Sequence, residues 1–222
     1  YRYFSLASLQ ITSVPTNPGI PTLSVNAGSN QSGTEGASFL FGGQVSGGVG
    51  PYQYNWNFGD GTQTSGSLTP SKTFADNGQY QVTLSVTDAS NTTKTSTLSV
   101  TVNNVAPTSS FSSSGAVTLG NPATVQFSGQ TDPSASDVAA GFRYSYDFNN
   151  DGTFEVTNST TSSAVVPASY FTTAGNYAVK GRIADKDGGF TDYTTSVVVY
   201  APSDTTPPTA TLVTPTANST LT

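Results

Sequence analysis

The segment Tyr52-Gln53-Tyr54-Asn55-Trp56-Asn57-Phe58-Gly59-Asp60-Gly61-Thr62 decides the fold. Aromatic residues stand at 52, 54, 56 and 58, and amides stand between them. A period of two puts the rings on one face of an extended strand and the amides in water. Gly59-Asp60-Gly61 reads as a hairpin turn, in which Gly supplies positive φ and Asp bonds its own backbone. Phase makes Trp56, the single Trp, a core anchor; a sugar-stacking platform is the functional alternative.

The same pattern continues outward. Tyr80, Val82, Leu84 and Val86 alternate with Gln81, Thr83 and Ser85, and Leu98, Val100 and Val102 with Ser99 and Thr101. No stretch carries a convincing apolar period of 3.6. Many short alternating runs, separated by Gly, Asn, Asp, Pro and Ser, predict an all-β chain of antiparallel sandwiches.

The runs recur. Ala37-Ser38-Phe39-Leu40-Phe41-Gly42-Gly43-Gln44 resembles Ala123-Thr124-Val125-Gln126-Phe127-Ser128-Gly129-Gln130, and Tyr54-Asn55-Trp56-Asn57-Phe58 resembles Tyr144-Ser145-Tyr146-Asp147-Phe148. Phe74, Gly78, Tyr80, Val82 and Asp88 match Phe171, Gly175, Tyr177, Val179 and Asp185. Loops lengthen while strands keep their order, as expected of two diverged copies of one fold. The reading assigns a strand and Pro-rich joint to 1–20, one domain to 21–106, a second to 107–202, and a linker with the start of a further repeat to 203–222.

Asn55-Trp56-Asn57-Phe58-Gly59-Asp60-Gly61-Thr62 is similar to the first signature of polycystic-kidney-disease (PKD) domains. Tyr80-Gln81-Val82-Thr83-Leu84-Ser85-Val86-Thr87-Asp88, preceded by Phe74 and Gly78, resembles the second. The second copy departs from the pattern: Tyr146 replaces Trp, Asn149-Asn150-Asp151-Gly152 replaces the turn, and Gly181 replaces Leu. The resemblance covers residues from about 21 to 201. It implies tandem Ig-like sandwiches that are not themselves catalytic. In prokaryotes such domains occur in large secreted or surface-displayed proteins and beside the catalytic domains of secreted hydrolases.

Composition narrows the chemistry. The chain has no Cys and no His, which excludes zinc fingers, thiol nucleophiles and Ser-His-Asp triads. Seven basic against 13 acidic residues oppose nucleic-acid binding. No apolar run approaches the ~20 residues of a membrane helix. Ser and Thr make up roughly 30% and charged residues 9%, which suits a neutral, hydroxyl-rich exterior. A glycosidase pair of carboxylates needs a deep cleft, which a small sandwich does not offer, so no catalytic residue is assigned.

Calcium is the one cofactor that the residues suggest. Asp147, Asn149, Asp151 and Glu155, with Gly152, imitate the first half of a calcium loop: oxygen ligands alternate and Gly permits the bend. Against this, alternation puts Asp147 on a strand, and Asn158 stands where a bidentate Glu belongs. A solvated hairpin is the other reading. Asp185, Asp187 and Asp192 cluster around Gly188-Gly189, and Asp132 and Asp137 occupy another loop. Such carboxylates could bind calcium at sandwich ends, and also arise in turns by chance.

The expected function is a non-catalytic structural or adhesive segment of a prokaryotic surface protein, extracellular or at the cell surface, as a self-assembling fibre or surface-layer subunit. The alternative is a substrate-binding or spacer module of a secreted hydrolase. Leu9 and Ile11 alternate in a strand that would need a partner, so other copies or neighbouring repeats are expected to pair with it edge to edge. A polysaccharide or a surface protein is the other class of partner. The chain begins at Tyr1 rather than Met, which reads as a mature or excised segment.

Overall fold

The computed structural model describes residue 19 and residues 21–203. The strand read into residues 1–14 and the repeat opening read into 207–213 lie outside the described residues. The first strands are β1 (Ser24–Asn26), β2 (Gln31–Thr34), β3 (Ser38–Leu40), β4 (Gln44–Ser46), β5 (Gln53–Asn57), β6 (Gln63–Ser65), β7 (Ser71–Thr73), β8 (Gly78–Thr87) and β9 (Thr93–Asn103). A five-stranded sheet runs β2-β9-β8-β5-β6, accompanied by the two-stranded ribbons β1-β4 and β3-β7.

The register carries out the alternation. Trp56 lies opposite Leu84, which in turn lies opposite Ser96. Trp56, Phe58, Val82, Leu84, Val86, Leu98, Val100 and Val102 are buried and meet Ala27, Phe39, Phe41 and Phe74 in one core. Burying each large apolar side chain stabilises the fold by about 1.5–3 kcal/mol. Phe41 sits 5.4 Å from Trp56 and 5.5 Å from Phe58, ring centre to ring centre. The Trp56 indole N–H donates to the Ser67 carbonyl at 3.1 Å, so the buried ring has no orphan donor.

The remaining elements are β10 (Thr108–Ser113), β11 (Val117–Thr118), β12 (Ala123–Thr131), α1 (Ala135–Ala140), β13 (Arg143–Asp147), β14 (Val156–Ser159), β15 (Ser163–Val166), a 3-10 turn (Ala168–Tyr170), β16 (Gly175–Ala184) and β17 (Phe190–Tyr200). A second five-stranded sheet runs β11-β17-β16-β13-β14, with β10-β12-β15 as a three-stranded sheet. Its strand order repeats that of the first position for position. Each large sheet has a parallel pair at its edge, β2 on β9 and β11 on β17, where antiparallel pairing was expected. Tyr146 is fully buried and donates to the Thr161 carbonyl at 3.1 Å, as Trp56 does to Ser67.

Both long central strands begin with the same lock. The Tyr80 hydroxyl donates to the Asp76 carbonyl, and the Tyr177 hydroxyl to the Thr173 carbonyl, each at 2.9 Å and four residues back. This is the tyrosine corner of Ig-like sandwiches. The chain is therefore an all-β protein of Ig-like fold.

By packing, the described residues divide into two compact units. One runs through Thr108 and includes Gln130–Arg143 and Ile183–Thr191; the other comprises Ser109–Gly129, Tyr144–Arg182 and Asp192 onward. Helix α1 belongs to the first and escaped the periodicity reading because six residues are under two turns.

Candidate metal centre

Three segments of the first unit bring carboxylates together. Glu35 directly follows β2, Asp132 directly follows β12, and Asp137 lies in the first turn of α1. Local structure fixes each one. Glu35 accepts the Val105 N–H through Oε1 at 2.7 Å, and its own N–H donates to the Asn103 carbonyl. Gly36 adopts φ +74, and a Cβ there would come 2.6 Å from Pro133 Cβ, so this turn needs glycine on both counts.

Ser134 caps α1: its Oγ accepts the Asp137 N–H at 3.1 Å and donates to the Ala75 carbonyl at 2.9 Å. In a capping box the acidic side chain three residues on would return to the cap N–H. Here Asp132 Oδ1 accepts that N–H at 2.8 Å instead. Asp137 is thereby released from capping, and its carboxylate is fully buried.

Oxygens of Glu35, Asp132 and Asp137 lie within 4.8 Å of one another. Among the described residues, Glu35 Oε2, Asp132 Oδ2 and both Asp137 oxygens are buried and receive no hydrogen bond. Asn104 Oδ1 is a further buried oxygen without a hydrogen bond. Lys186 Nζ forms an ion pair with Asp137 Oδ1 at 3.2 Å and is also committed to Asp76 at 2.7 Å and to Asp187. Burial pushes the carboxyls of Glu35, Asp132 and Asp137 above their ordinary range, and nearby carboxylates push the same way. Hydrogen bonds from Lys186 to Asp187 and Asp76 hold its ammonium far above the usual lysine range.

Of the other residues singled out in sequence, Asp187 lies beside Asp137, with an oxygen within 4.8 Å of those of Asp76 and Asp137, and the hairpin residues fall elsewhere. Asp147, Asn149, Asp151 and Glu155 share one hairpin, and oxygens of its three acids lie within 4.8 Å. There Asp147 accepts the N–H groups of Asp151 and Gly152 at 3.1 and 2.9 Å, Asp151 accepts that of Thr153, and Glu155 accepts that of Phe148. Asn149 Nδ2 donates to Asp151 Oδ2 at 2.8 Å. Asp185 Oδ1 accepts the N–H groups of Asp187 and Gly189, and its Oδ2 accepts Asn104 Nδ2. Asp192 is ion-paired with Lys180 and Arg182.

Sequence reasoning named Asp132 and Asp137 but missed Glu35, a single acid about 100 residues upstream. Asn104, which links Asp185 to this region, was missed as well. A shallow trough of about 570 Å³ also crosses the first unit, lined by Tyr52, Tyr54, Ser65, Gly66, Ser85 and Thr87.

Strand order, closed core and tyrosine corner define an Ig-like β-sandwich module. Residues 21–102 match the family model of the PKD domain. The second copy lies outside that match, in keeping with its loss of the Trp, the Gly-Asp-Gly turn and the Leu. The fold aligns with fibronectin(III)-like modules of Clostridium thermocellum CbhA at 14% identity and TM-score 0.33, over 81% of this chain and 95% of that one. It aligns with the PKD1 domain of Vibrio anguillarum Epp at 29% identity and TM-score 0.30, over 38% and 94%. The insect immune protein hemolin aligns at 13% identity and TM-score 0.41, over 86% and 49%. A search of curated protein sequences gives no match. Among the described residues no helix is long and apolar enough to cross a membrane.

Proposed function

We propose that the chain is a non-catalytic structural or adhesive segment of a surface protein of a prokaryote, built from tandem PKD-like repeats and displayed outside the cell. The observation that carries this reading is the repeated strand order, β2-β9-β8-β5-β6 and β11-β17-β16-β13-β14, each sheet with its own buried aromatic anchor. Repetition of closed sandwiches serves spacing and contact. Most of the described acidic groups lie in turns and loops, where several of them accept backbone N–H donors, which also favours a scaffold. The hydroxyl-rich, weakly charged composition suits contact with other copies or with a cell-wall polymer.

In this reading copies associate by edge pairing through residues 1–14, which lie outside the described residues. Antibody labelling of intact cells of the source organism tests the display; labelling only after lysis would refute it. Sizing the chain with and without residues 1–14 tests the joint. Loss of assembly on truncation is expected, and unchanged assembly would remove that segment from the mechanism.

A further inference from the structure

We propose that Glu35, Asp132 and Asp137 hold a calcium ion within the first unit. Two independent observations converge on it. The first is proximity, with oxygens of the three carboxylates within 4.8 Å. The second is that two of these side chains are almost wholly buried, Glu35 at 2% exposure and Asp137 at 0%, yet carry oxygens that receive no hydrogen bond. A buried, unpaired carboxylate oxygen is costly unless a cation or proton meets it.

The division of labour within each carboxylate points to a metal. Glu35 gives Oε1 to the Val105 N–H and leaves Oε2 bare. Asp132 gives Oδ1 to the Ser134 N–H and leaves Oδ2 bare. One oxygen anchors the side chain to the backbone and the other is left for a ligand, as in metal sites whose carboxylates are held by outer hydrogen bonds. Asp137, freed from capping, faces Lys186 at 3.2 Å through Oδ1 and leaves Oδ2 bare, and Asn104 Oδ1 is a further neutral oxygen without a hydrogen bond.

Charge points the same way. Among the described residues the surrounding groups are Asp76, Asp185 and Asp187, all acidic, and one cation, Lys186. Lys186 is already held by Asp76 and Asp187 and reaches only Asp137 of the three. A second, divalent positive charge is what the set lacks. Donors that are all oxygen select hard cations, and irregular geometry from a turn, a loop and the first turn of a short helix favours calcium over magnesium, which demands a near-ideal octahedron. The ion would tie the turn after β2 to the start of α1. This inference does not depend on where the protein is displayed.

The test uses the full chain, freed of metal with a chelator and titrated calorimetrically with CaCl2, with MgCl2 and NaCl at matched ionic strength as controls. Calcium should bind and should raise the melting temperature by on the order of 10 °C at a concentration a hundredfold above its Kd. Glu35→Gln and Asp132→Asn should each abolish that rise. In chelator, the same variants should melt above the wild type, because neutralising one carboxylate relieves repulsion. This crossing of the two orders is not expected of a merely structural role. Absence of calcium binding to the wild-type chain overturns the proposal. So does a calcium response kept in both variants and lost in Asp151→Asn, which would place the ion on the hairpin of Asp147 and Glu155.

Discussion

The two sandwiches solve one packing problem with different side chains. In the first, Leu84 lies beneath Trp56, and both crowd Gly43: a Cβ there would meet Leu84 Cδ2 at 2.7 Å and Trp56 Cζ2 at 3.0 Å. In the second, the matching residues are Gly181, Tyr146 and Gly129. A Cβ at Gly181 would meet Phe111 at 2.7 Å and Phe127 at 2.8 Å, whereas one at Gly129 would meet nothing within 4 Å. The volume that Leu84 fills in one core is supplied by Phe111 in the other, where the first has Val25. Large and small residues have changed strands, a kind of exchange that cores tolerate when total volume is kept. A family signature written in residue identities weakens under such exchange, although the core it describes persists.

The comparison can be broken at several points. Trp56→Ala should cost about 3–5 kcal/mol and unfold the first sandwich well before the second. Differential scanning calorimetry checks this, and an unchanged profile would deny Trp56 its role as anchor. Gly181→Leu should destabilise the second sandwich by about 1–3 kcal/mol through overpacking. Adding Phe111→Val should recover much of that loss by restoring the first sandwich's arrangement. If the double variant is no better than the single one in urea unfolding, the volume exchange is not the cause. Tyr80→Phe and Tyr177→Phe should each cost about 1 kcal/mol, one in each sandwich, because both lose the same corner hydrogen bond. A loss confined to one of them would show that the two corners are not equivalent.

The smallest effect is a pH dependence whose sign differs between sites. Burial works against ionisation of Asp60, but hydrogen bonds from Lys72 and Thr62 outweigh it and hold its carboxyl below the usual range. It contributes stability above the unfolded value near 4, and that stability is lost as pH falls through the depressed folded value. Glu35, Asp132 and Asp137 are raised, so they bind protons more tightly in the fold. Their contribution is greatest below about pH 4 and declines as pH rises through their raised values. In chelator, the urea midpoint of the wild type relative to that of Glu35→Gln should therefore fall as pH rises through that range. A difference between the two that does not change with pH would contradict the raised value of Glu35.

Strand phase was legible because burial on one face imposes a period of two over a few adjacent residues. Trp56 and Tyr146, fully buried, sit where alternation put them. The acidic cluster was half legible. The Ser134-x-x-Asp137 spacing of a capped helix is local and readable, but Glu35 joins Asp132 and Asp137 only through tertiary folding. The hairpin of Asp147, Asn149 and Asp151 stood out for the opposite reason, because side-chain oxygens alternate over five adjacent positions. In the structure those acids spend hydrogen-bonding capacity on their own backbone, and pattern alone does not tell a turn's internal partners from ligands.

Asp88 and Asp185 end equivalent strands and organise equivalent turns. Each accepts, through Oδ1, the N–H groups two and four residues ahead. Their second oxygens part company: Asp88 Oδ2 takes the Val49 N–H, and Asp185 Oδ2 takes the Asn104 amide. A turn that depends on only one of two oxygens leaves the other free to acquire a new partner. A duplicated module can thus change what it fastens to through the donor that meets the second oxygen, a main-chain N–H at 49 or a side-chain amide at 104, without rebuilding the turn itself. Attachment and architecture become separately heritable, and an array of such modules can diversify its internal clasps while every copy goes on folding in the same way.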